Sequence, residues 1–140
     1  MKYECIDGCI PFEGEEAFTE VVQAHQAAWN SQHGYDWQTL ENYLRNIAGL
    51  LFKDNQGNIV QTSPRPPIAN LDSLPFPRRE ILDYRKYSYV LGSEAVATSL
   101  LTSRGCPYKC SFCNTPGRTT WRWRSAKSVV DEMEACAKLG

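Results

Sequence analysis

The sequence predicts an α/β fold in which a helical and hairpin region is joined by a proline-rich linker to a strand–loop–helix unit. Three observations lead to this prediction. Apolar residues recur at helical spacing in the first third of the chain, two apolar runs flank a turn-rich tetrapeptide, and an apolar run near residue 100 leads through a cysteine-rich loop into another helical pattern. The predicted domain boundaries are residues 1–62, 63–94 and 95–140.

Composition indicates a globular protein. The 140 residues are 42% hydrophobic and 22% charged, with a formal net charge of −1, whereas a disordered chain would be less apolar and more highly charged. This charge provides no general attraction for nucleic acid or an anionic membrane. No apolar run approaches the roughly 20 residues of a membrane span, and the first residues lack the features of a secretory signal. We therefore expect a cytoplasmic protein with neither a membrane nor a nucleic-acid partner.

The first region is predicted to hold a bent strand, two helices and a hairpin. Residues 3–12 are short and apolar and suggest the strand, and residues 38–46 suggest the second helix. Leucine, isoleucine and valine around residues 54–57 suggest the hairpin, with strands at 50–52 and 58–60. The first helix begins at Gly14. Its predicted core face consists of Phe18, Val21, Val22, His25, Ala28 and Trp29.

The second half is predicted to run from linker to strand, loop and helix. Residues 63–77 hold five of the eight prolines, which predicts an extended connector because proline fixes φ and removes a donor. A helical turn is expected at 79–84 and a strand at 95–102. Ser125 is a good N-cap for a final helix. Its predicted apolar stripe is Ala126, Val129, Val130, Met133 and Ala137, with Asp131, Glu132, Glu134 and Lys138 on other faces.

Three cysteines in the loop form the strongest chemical motif. Cys106, Cys110 and Cys113 have the spacing C-x3-C-x2-C. A structural zinc or an electron-transfer [4Fe–4S] cluster would each want four ligands, whereas three leave one metal position open for a cofactor or substrate. An open iron–sulfur cluster is favoured over two alternatives: a zinc site with a distant fourth ligand such as Cys136, and three unrelated core cysteines.

The loop resembles the C-x3-C-x-aromatic-C motif of the radical SAM superfamily, with Phe112 in the aromatic position. This resemblance implies that the three thiolates bind three irons of a [4Fe–4S] cluster and that S-adenosylmethionine chelates the fourth. It implies that Phe112 lies beside the adenine, and that the strand–loop–helix unit is the first unit of a parallel β/α partial barrel. It further implies an enzyme that generates a 5′-deoxyadenosyl radical, with an electron donor such as flavodoxin or ferredoxin and a small-molecule substrate.

Flanking stretches are similar to the branch whose radical domain follows a cobalamin-binding domain. Residues 71–78, Leu-Asp-Ser-Leu-Pro-Phe-Pro-Arg, resemble its linker, and residues 122–125 resemble the entry to its first barrel helix. Residues 12–15 resemble its Gly-Glu-Gly-Glu ending, with Phe12 in place of the first glycine. The chain has no Asp-x-His-x-x-Gly cobalt-ligand motif. We therefore expect the end of a cobalamin-type domain, a linker and the start of a radical SAM core, inactive alone, from a parent methyltransferase or cyclase for which cobalamin is a candidate cofactor.

Two other functions share parts of the pattern. One is a zinc-stabilised module that binds nucleic acid through Trp121-Arg122-Trp123-Arg124. The other is a radical SAM methylthiotransferase. In an extended segment this alternation places the indoles on one face and the guanidinium groups on the other. A half-buried strand edge with solvated arginines is the simplest interpretation. We expect the remaining cysteines, Cys5, Cys9 and Cys136, to be small core residues, and we single out no catalytic side chain.

Overall fold

The computed structural model describes residues 5–30, 33–83, 98–108, 110–113 and 120–139. The chain forms two compact units, Met1–Pro67 and Ile68–Gly140. The elements of the first unit are β1 (Gly8–Cys9), α1 (Glu15–Ala28), β2 (Trp29–Asn30), β3 (Gly34–Tyr35), α2 (Trp37–Asn46), β4 (Leu51–Lys53) and β5 (Ile59–Gln61). Those of the second are β6 (Ser103–Arg104), β7 (Arg122–Trp123) and α3 (Ala126–Ala137). Single 3₁₀ turns occur at Leu71–Ser73 and Arg79–Ile81.

The first unit packs α1 and α2 with a three-stranded antiparallel sheet of order β1-β4-β5. In the predicted hairpin, Phe52 lies opposite Val60. The Asp54 carboxylate accepts hydrogen bonds from the amides of Gln56 and Asn58, at 2.9 and 2.8 Å. Gly57 takes a φ of 81°, which glycine adopts without steric cost. The hairpin prediction is confirmed.

Helix α1 forms where predicted but buries only part of the predicted face. Ala17, Ala24 and Ala28 are the buried residues of this helix, whereas Phe18 and Trp29 are 62% and 55% exposed. The predicted face was therefore right for Ala28 and for Val21, which packs against the core, and wrong for Phe18 and Trp29. The distance between packed helices depends on the side chains at the contact, and small alanine side chains permit a short one.

Helix α2 is fixed at its start by a side-chain cap. Asp36 accepts hydrogen bonds from the amides of Gln38 and Thr39, at 3.1 and 3.2 Å, and from the Thr39 hydroxyl at 2.5 Å. The hydrogen bonds from Thr39 lower the pKa of Asp36 below its ordinary value. The helix begins at Trp37, one residue before the predicted start, because the capping aspartate sets its first turn.

Two residues at the start of the predicted connector, Ser63 and Arg65, make hydrogen bonds within the first unit. Arg65 donates to the Ala48 carbonyl at 3.0 Å and to Glu16 at 3.0 Å, and it also pairs with Glu20. The Ser63 carbonyl accepts from the Gly49 amide at 2.7 Å. Ser63 and Arg65 are therefore held by hydrogen bonds. The proposed domain boundaries at residues 62 and 94 stay a prediction.

Phe12 has a backbone conformation that favours glycine. Its φ is 66°, in the left-handed region that costs a residue with a Cβ about 1–2 kcal/mol. The side chain is 75% exposed, so little burial compensates for this cost. Within the predicted strand 3–12, the described residues form a strand only at Gly8–Cys9. This strained residue stands where the resembled Gly-Glu-Gly-Glu motif has its first glycine.

Replacing Phe12 with glycine is expected to stabilise the first unit. Relief of the left-handed strain, about 1–2 kcal/mol, exceeds the roughly 0.5–1 kcal/mol of extra chain entropy that glycine loses on folding. A rise of a few degrees in thermal midpoint should result. The matched control is Phe12→Ala, which removes the same ring but keeps the Cβ. An equal gain for both variants would mean that removal of the exposed ring, and not backbone strain, is responsible.

Outside the loop, the cysteines are less buried than expected. Cys5 and Cys9 are exposed and Cys136 is half-buried, so the prediction of three small core residues was wrong for the first two. Cys9 lies on β1, which pairs with β4 at the edge of the small sheet. His25 makes an edge-to-face contact with Tyr35, with ring centroids 5.8 Å apart, which is consistent with a structural role.

The second unit confirms the final helix and modifies the strand before the loop. Ser125 caps α3 by accepting the Ser128 amide at 3.1 Å, and the turn predicted at 79–84 occurs at Arg79–Ile81. Of the predicted strand 95–102, residues 95–97 lie outside the described residues and 98–102 carry no strand. The strand found in the structure is β6, which begins at Ser103, one residue after the end of the predicted strand. It pairs antiparallel with β7.

The parallel partial barrel stays a prediction. Every strand pair in the described parts of the chain is antiparallel. A single strand–loop–helix unit contributes one barrel strand, and a parallel pair requires a second strand after the helix.

Among the helices described, none has the length and apolar character to cross a bilayer.

Candidate iron–sulfur and cofactor site

The cysteine loop starts and ends at a short antiparallel ladder. Ser103 lies opposite Trp123 and Arg104 lies opposite Arg122. The ladder is extended by a hydrogen bond of 2.9 Å from the Arg124 amide to the Thr102 carbonyl. We call this ladder the neck of the loop. Because Arg104 pairs with Arg122, the points at which the chain leaves and re-enters this ladder are adjacent.

Local backbone geometry brings two of the cysteines into one turn. The Cys113 amide donates to the Cys110 carbonyl at 3.1 Å, which closes a turn with Ser111 and Phe112 at its corners. Gly105 has a φ of 83° directly before Cys106. Cys106 and Cys110 are exposed and Cys113 is half-buried. The Phe112 ring is 88% exposed, so its face is accessible to a planar ligand.

The structure does not gather the three thiols into a ligand set. Over the described ranges, no three cysteine, histidine, aspartate or glutamate side chains are grouped closely enough to hold a metal ion. Thiolates carry like charges and have no mutual attraction, and sites of this kind commonly take their geometry together with the metal. The chemistry of the donors nevertheless fits an iron–sulfur cluster, since three accessible sulfur ligands lie within eight residues of one loop. Their role as cluster ligands stays a prediction.

The Trp/Arg segment is oriented opposite to the expectation. Trp121 and Trp123 are 47% and 64% exposed, with ring centroids 5.0 Å apart. Arg122 donates to the Ile68 carbonyl at 2.5 Å. The Arg124 side chain is only 10% exposed, and its guanidinium lies 5.4 Å from the centre of the Phe76 ring. The expectation of solvated arginines was wrong, because both guanidinium groups have acceptors inside the second unit.

Glu132 is the main residue that sequence reasoning missed. It is 2% exposed although the sequence pattern assigned it to a polar face of α3. One of its carboxylate oxygens lies 2.7 Å from Nη2 of Arg79 and the other pairs with Arg124. Burial by itself would raise the pKa of Glu132, but the hydrogen bonds from Arg124 and Arg79 outweigh it and leave the pKa below its ordinary value. The carboxylate is therefore charged and paired.

Asp72 makes a second polar connection beside the neck. Its carboxylate accepts the Ser125 amide with both oxygens, at 3.0 and 3.2 Å. The hydrogen bonds from Ser125 lower the pKa of Asp72, with a smaller contribution from the charge of Arg124. Asp72 belongs to the resembled linker motif, which was the sequence signal available for it. For Glu132 no such signal existed, since its partners lie 53 and 8 residues away in the chain.

Comparison with known proteins finds relatives among methyltransferases and cyclases. The chain is 33% identical over 132 residues to an uncharacterised methyltransferase of Pyrococcus horikoshii, a match that covers 92% of this chain and 25% of that protein. It is 37% identical over 134 residues to the anaerobic magnesium-protoporphyrin IX monomethyl ester cyclase of Rubrivivax gelatinosus, covering 95% of this chain and 22% of the cyclase. It is 41% identical over 69 residues to the tryptophan 2-C-methyltransferase of Streptomyces laurentii, a match that covers 48% of this chain and 12% of the methyltransferase.

The chain therefore spans about a quarter or less of the length of the curated relatives it matches. No family model matches the sequence. No solved structure matches it either. The matches to the two first-named proteins include both compact units, since each covers more than nine-tenths of this chain.

Proposed function

The chain belongs to the cobalamin-associated branch of the radical SAM superfamily, and from this membership we propose that Cys106, Cys110 and Cys113 hold a [4Fe–4S] cluster that binds S-adenosylmethionine. The observation that carries the proposal is the loop itself. Cys110 and Cys113 bracket one closed turn, and the exposed Phe112 lies at its corner. Three cysteines supply three iron ligands, and the fourth iron keeps a position for a small-molecule chelate.

Five residues of the loop have distinct parts in this proposal. The three thiolates bind iron and fix the position of the cluster at the end of the neck. Phe112 offers a ring face on which the adenine of the cofactor stacks. Gly105, which stands between β6 and Cys106, turns the chain at a φ that costs other residues energy. When bound and reduced by one electron, the cluster with S-adenosylmethionine supplies homolytic cleavage of the C5′–S bond, which yields methionine and a 5′-deoxyadenosyl radical.

The activity of the whole protein is proposed from its relatives. The names of the relatives describe methyltransferases and a cyclase, and we extend methyl transfer or ring formation to this protein as its reaction class. A small-molecule substrate, a one-electron donor such as flavodoxin or ferredoxin, and cobalamin in the rest of the protein are parts of the same proposal. The nucleic-acid alternative loses its main support, because Arg122 and Arg124 are paired within the second unit.

Anaerobic reconstitution with iron and sulfide tests the proposal. A brown protein with about four irons and four labile sulfides per chain is the expected result. Addition of S-adenosylmethionine to the reduced protein should then change the electron paramagnetic resonance spectrum, because the cofactor binds an iron directly. A colourless protein with one tightly bound zinc and no sulfide would instead identify a zinc-stabilised module.

A further inference from the structure

We propose that residues 68–81, here called the linker segment, position the cysteine loop through Asp72 and Arg79 and thereby set the geometry and the retention of its cluster. This inference rests on the proposed function. The sequence pattern treats the linker segment as a connector between domains. Its contacts within the second unit give it a more specific role.

The first connection runs through Arg79. Its Nε donates to the Thr98 hydroxyl at 3.1 Å and its Nη2 to the Ser99 carbonyl at 2.8 Å. The same Nη2 lies 2.7 Å from the Glu132 carboxylate. The side chain is 15% exposed. The Arg79 guanidinium therefore connects Thr98 and Ser99, which precede the loop, with Glu132 of α3, which follows the loop.

The second connection closes the other side of the neck. Arg124 follows β7 directly, pairs with the remaining oxygen of Glu132 and donates to the Leu101 carbonyl at 3.2 Å. Asp72 accepts the amide of Ser125, the next residue. The chain on both sides of the neck is thus tied to the linker segment, Thr98 and Ser99 before β6 through Arg79 and Ser125 after β7 through Asp72.

The neck alone is too small to hold the loop in place. It consists of two residue pairs, and an isolated two-stranded hairpin is at best marginally stable in water. Glu132 can remain buried as an anion only while its two arginines stay in place, because an unpaired buried carboxylate is strongly unfavourable. The neck and the start of α3 therefore keep one arrangement as long as the linker segment is docked. Loss of a group that orients metal ligands typically costs roughly 10–100-fold in metal affinity or activity.

Two variants with matched controls test the inference on the reconstituted full chain. Arg79→Lys keeps the charge but loses the planar fork that reaches three acceptors. Its control is Arg78→Lys, the same change at the adjacent arginine, which is 76% exposed and pairs with Glu80. Asp72→Asn weakens the second connection. Its control is Asp36→Asn, the same change at an aspartate that also accepts backbone amides but lies in the first unit.

The measured quantities are the midpoint potential and resonance spectrum of the cluster and the rate of iron release to a chelator. We expect both test variants to keep their helix content, to shift the spectrum and potential, and to release iron roughly tenfold faster. Both controls should match the unaltered protein. Equal spectra, potentials and release rates in all five proteins would overturn the inference while leaving the proposed function intact.

A readout without the cluster separates the two proposals. In the iron-free protein, hydrogen exchange of the Arg124 amide, which donates to the Thr102 carbonyl, reports whether the neck is closed. Faster exchange in Arg79→Lys and Asp72→Asn, but not in the controls, supports the positioning role even if the unaltered protein takes up no cluster. Unchanged exchange would contradict it. Failure of the unaltered protein to bind iron would overturn the proposed function alone.

Discussion

Alanine in place of Cys110 is expected to give a folded protein that holds no iron–sulfur cluster. The cysteine is exposed, so its removal leaves no cavity and should change stability by less than about 0.5 kcal/mol. The cluster, in contrast, loses one of three protein ligands. We expect iron to fall from about four per chain to below about one, with loss of the broad visible absorption of the cluster. Cys106→Ala and Cys113→Ala should behave in the same way.

Cys136→Ala is the informative control for this series. Cys136 lies on α3 in the same unit, is half-buried and was the candidate fourth ligand of a zinc site. An iron–sulfur cluster with an open position predicts that this variant retains its iron. A zinc site predicts that it loses its metal. Retention of a full cluster by Cys110→Ala would contradict the assignment of the three thiolates.

Glutamine in place of Glu132 is expected to destabilise the second unit by about 3 kcal/mol or more at pH 7. The change preserves side-chain volume but removes the negative charge between Arg79 and Arg124, which then face each other uncompensated in a site where Glu132 is 2% exposed. Urea unfolding followed by hydrogen exchange of the α3 amides measures this loss. Glu134→Gln, the same substitution at an exposed position of α3, should have an effect within about 0.5 kcal/mol.

The stability of the second unit should also depend on pH through Glu132. Its folded-state pKa is lowered by Arg124 and Arg79 in spite of burial, while an unfolded glutamate has a pKa of about 4.3. The contribution of this carboxylate is therefore complete above about pH 5 and is lost as pH falls through the folded pKa. Asp72, whose pKa is lowered by its hydrogen bonds with Ser125, acts in the same direction.

The pH profile gives a second, independent test of Glu132. Unfolding curves of the unaltered protein between pH 7 and pH 3 should show the loss on the acid side, and Glu132→Gln should show a shallower decline. Parallel profiles for the two proteins would mean that the buried pair contributes no linkage, and would argue against a charged Glu132 in the folded state.

Much of the local structure was predictable because its causes are local. Ser125 caps α3 through the amide three residues later, and the turn at residues 54–57 is closed by Asp54 and Gly57. Such contacts span two to four residues, so all the residues that take part are close together in the sequence. The cysteine spacing belongs to the same class, since three sulfur ligands within eight residues restrict the metal chemistry whatever surrounds them.

The faces of the helices were not predictable in the same way. The apolar pattern placed Phe18 and Val130 toward a core, yet they are 62% and 50% exposed. It placed Glu132 toward solvent, where the structure buries it. Hydrophobic periodicity identifies a helix, but the direction of burial depends on what packs against it. On α1 the buried residues are Ala17, Ala24 and Ala28. On α3, Glu132 is buried where it pairs with two arginines.

By itself, the sequence determined the existence of the three helices, the hairpin and the cysteine motif, together with the superfamily that this motif resembles. The tertiary structure alone decided that Glu132 is buried, that Arg122 and Arg124 point inward, and that the linker segment holds the neck of the loop. The physical reason is that a buried charge needs partners to offset its desolvation. For Glu132 one of those partners, Arg79, is 53 residues away in the chain, and only folding brings it within 2.7 Å.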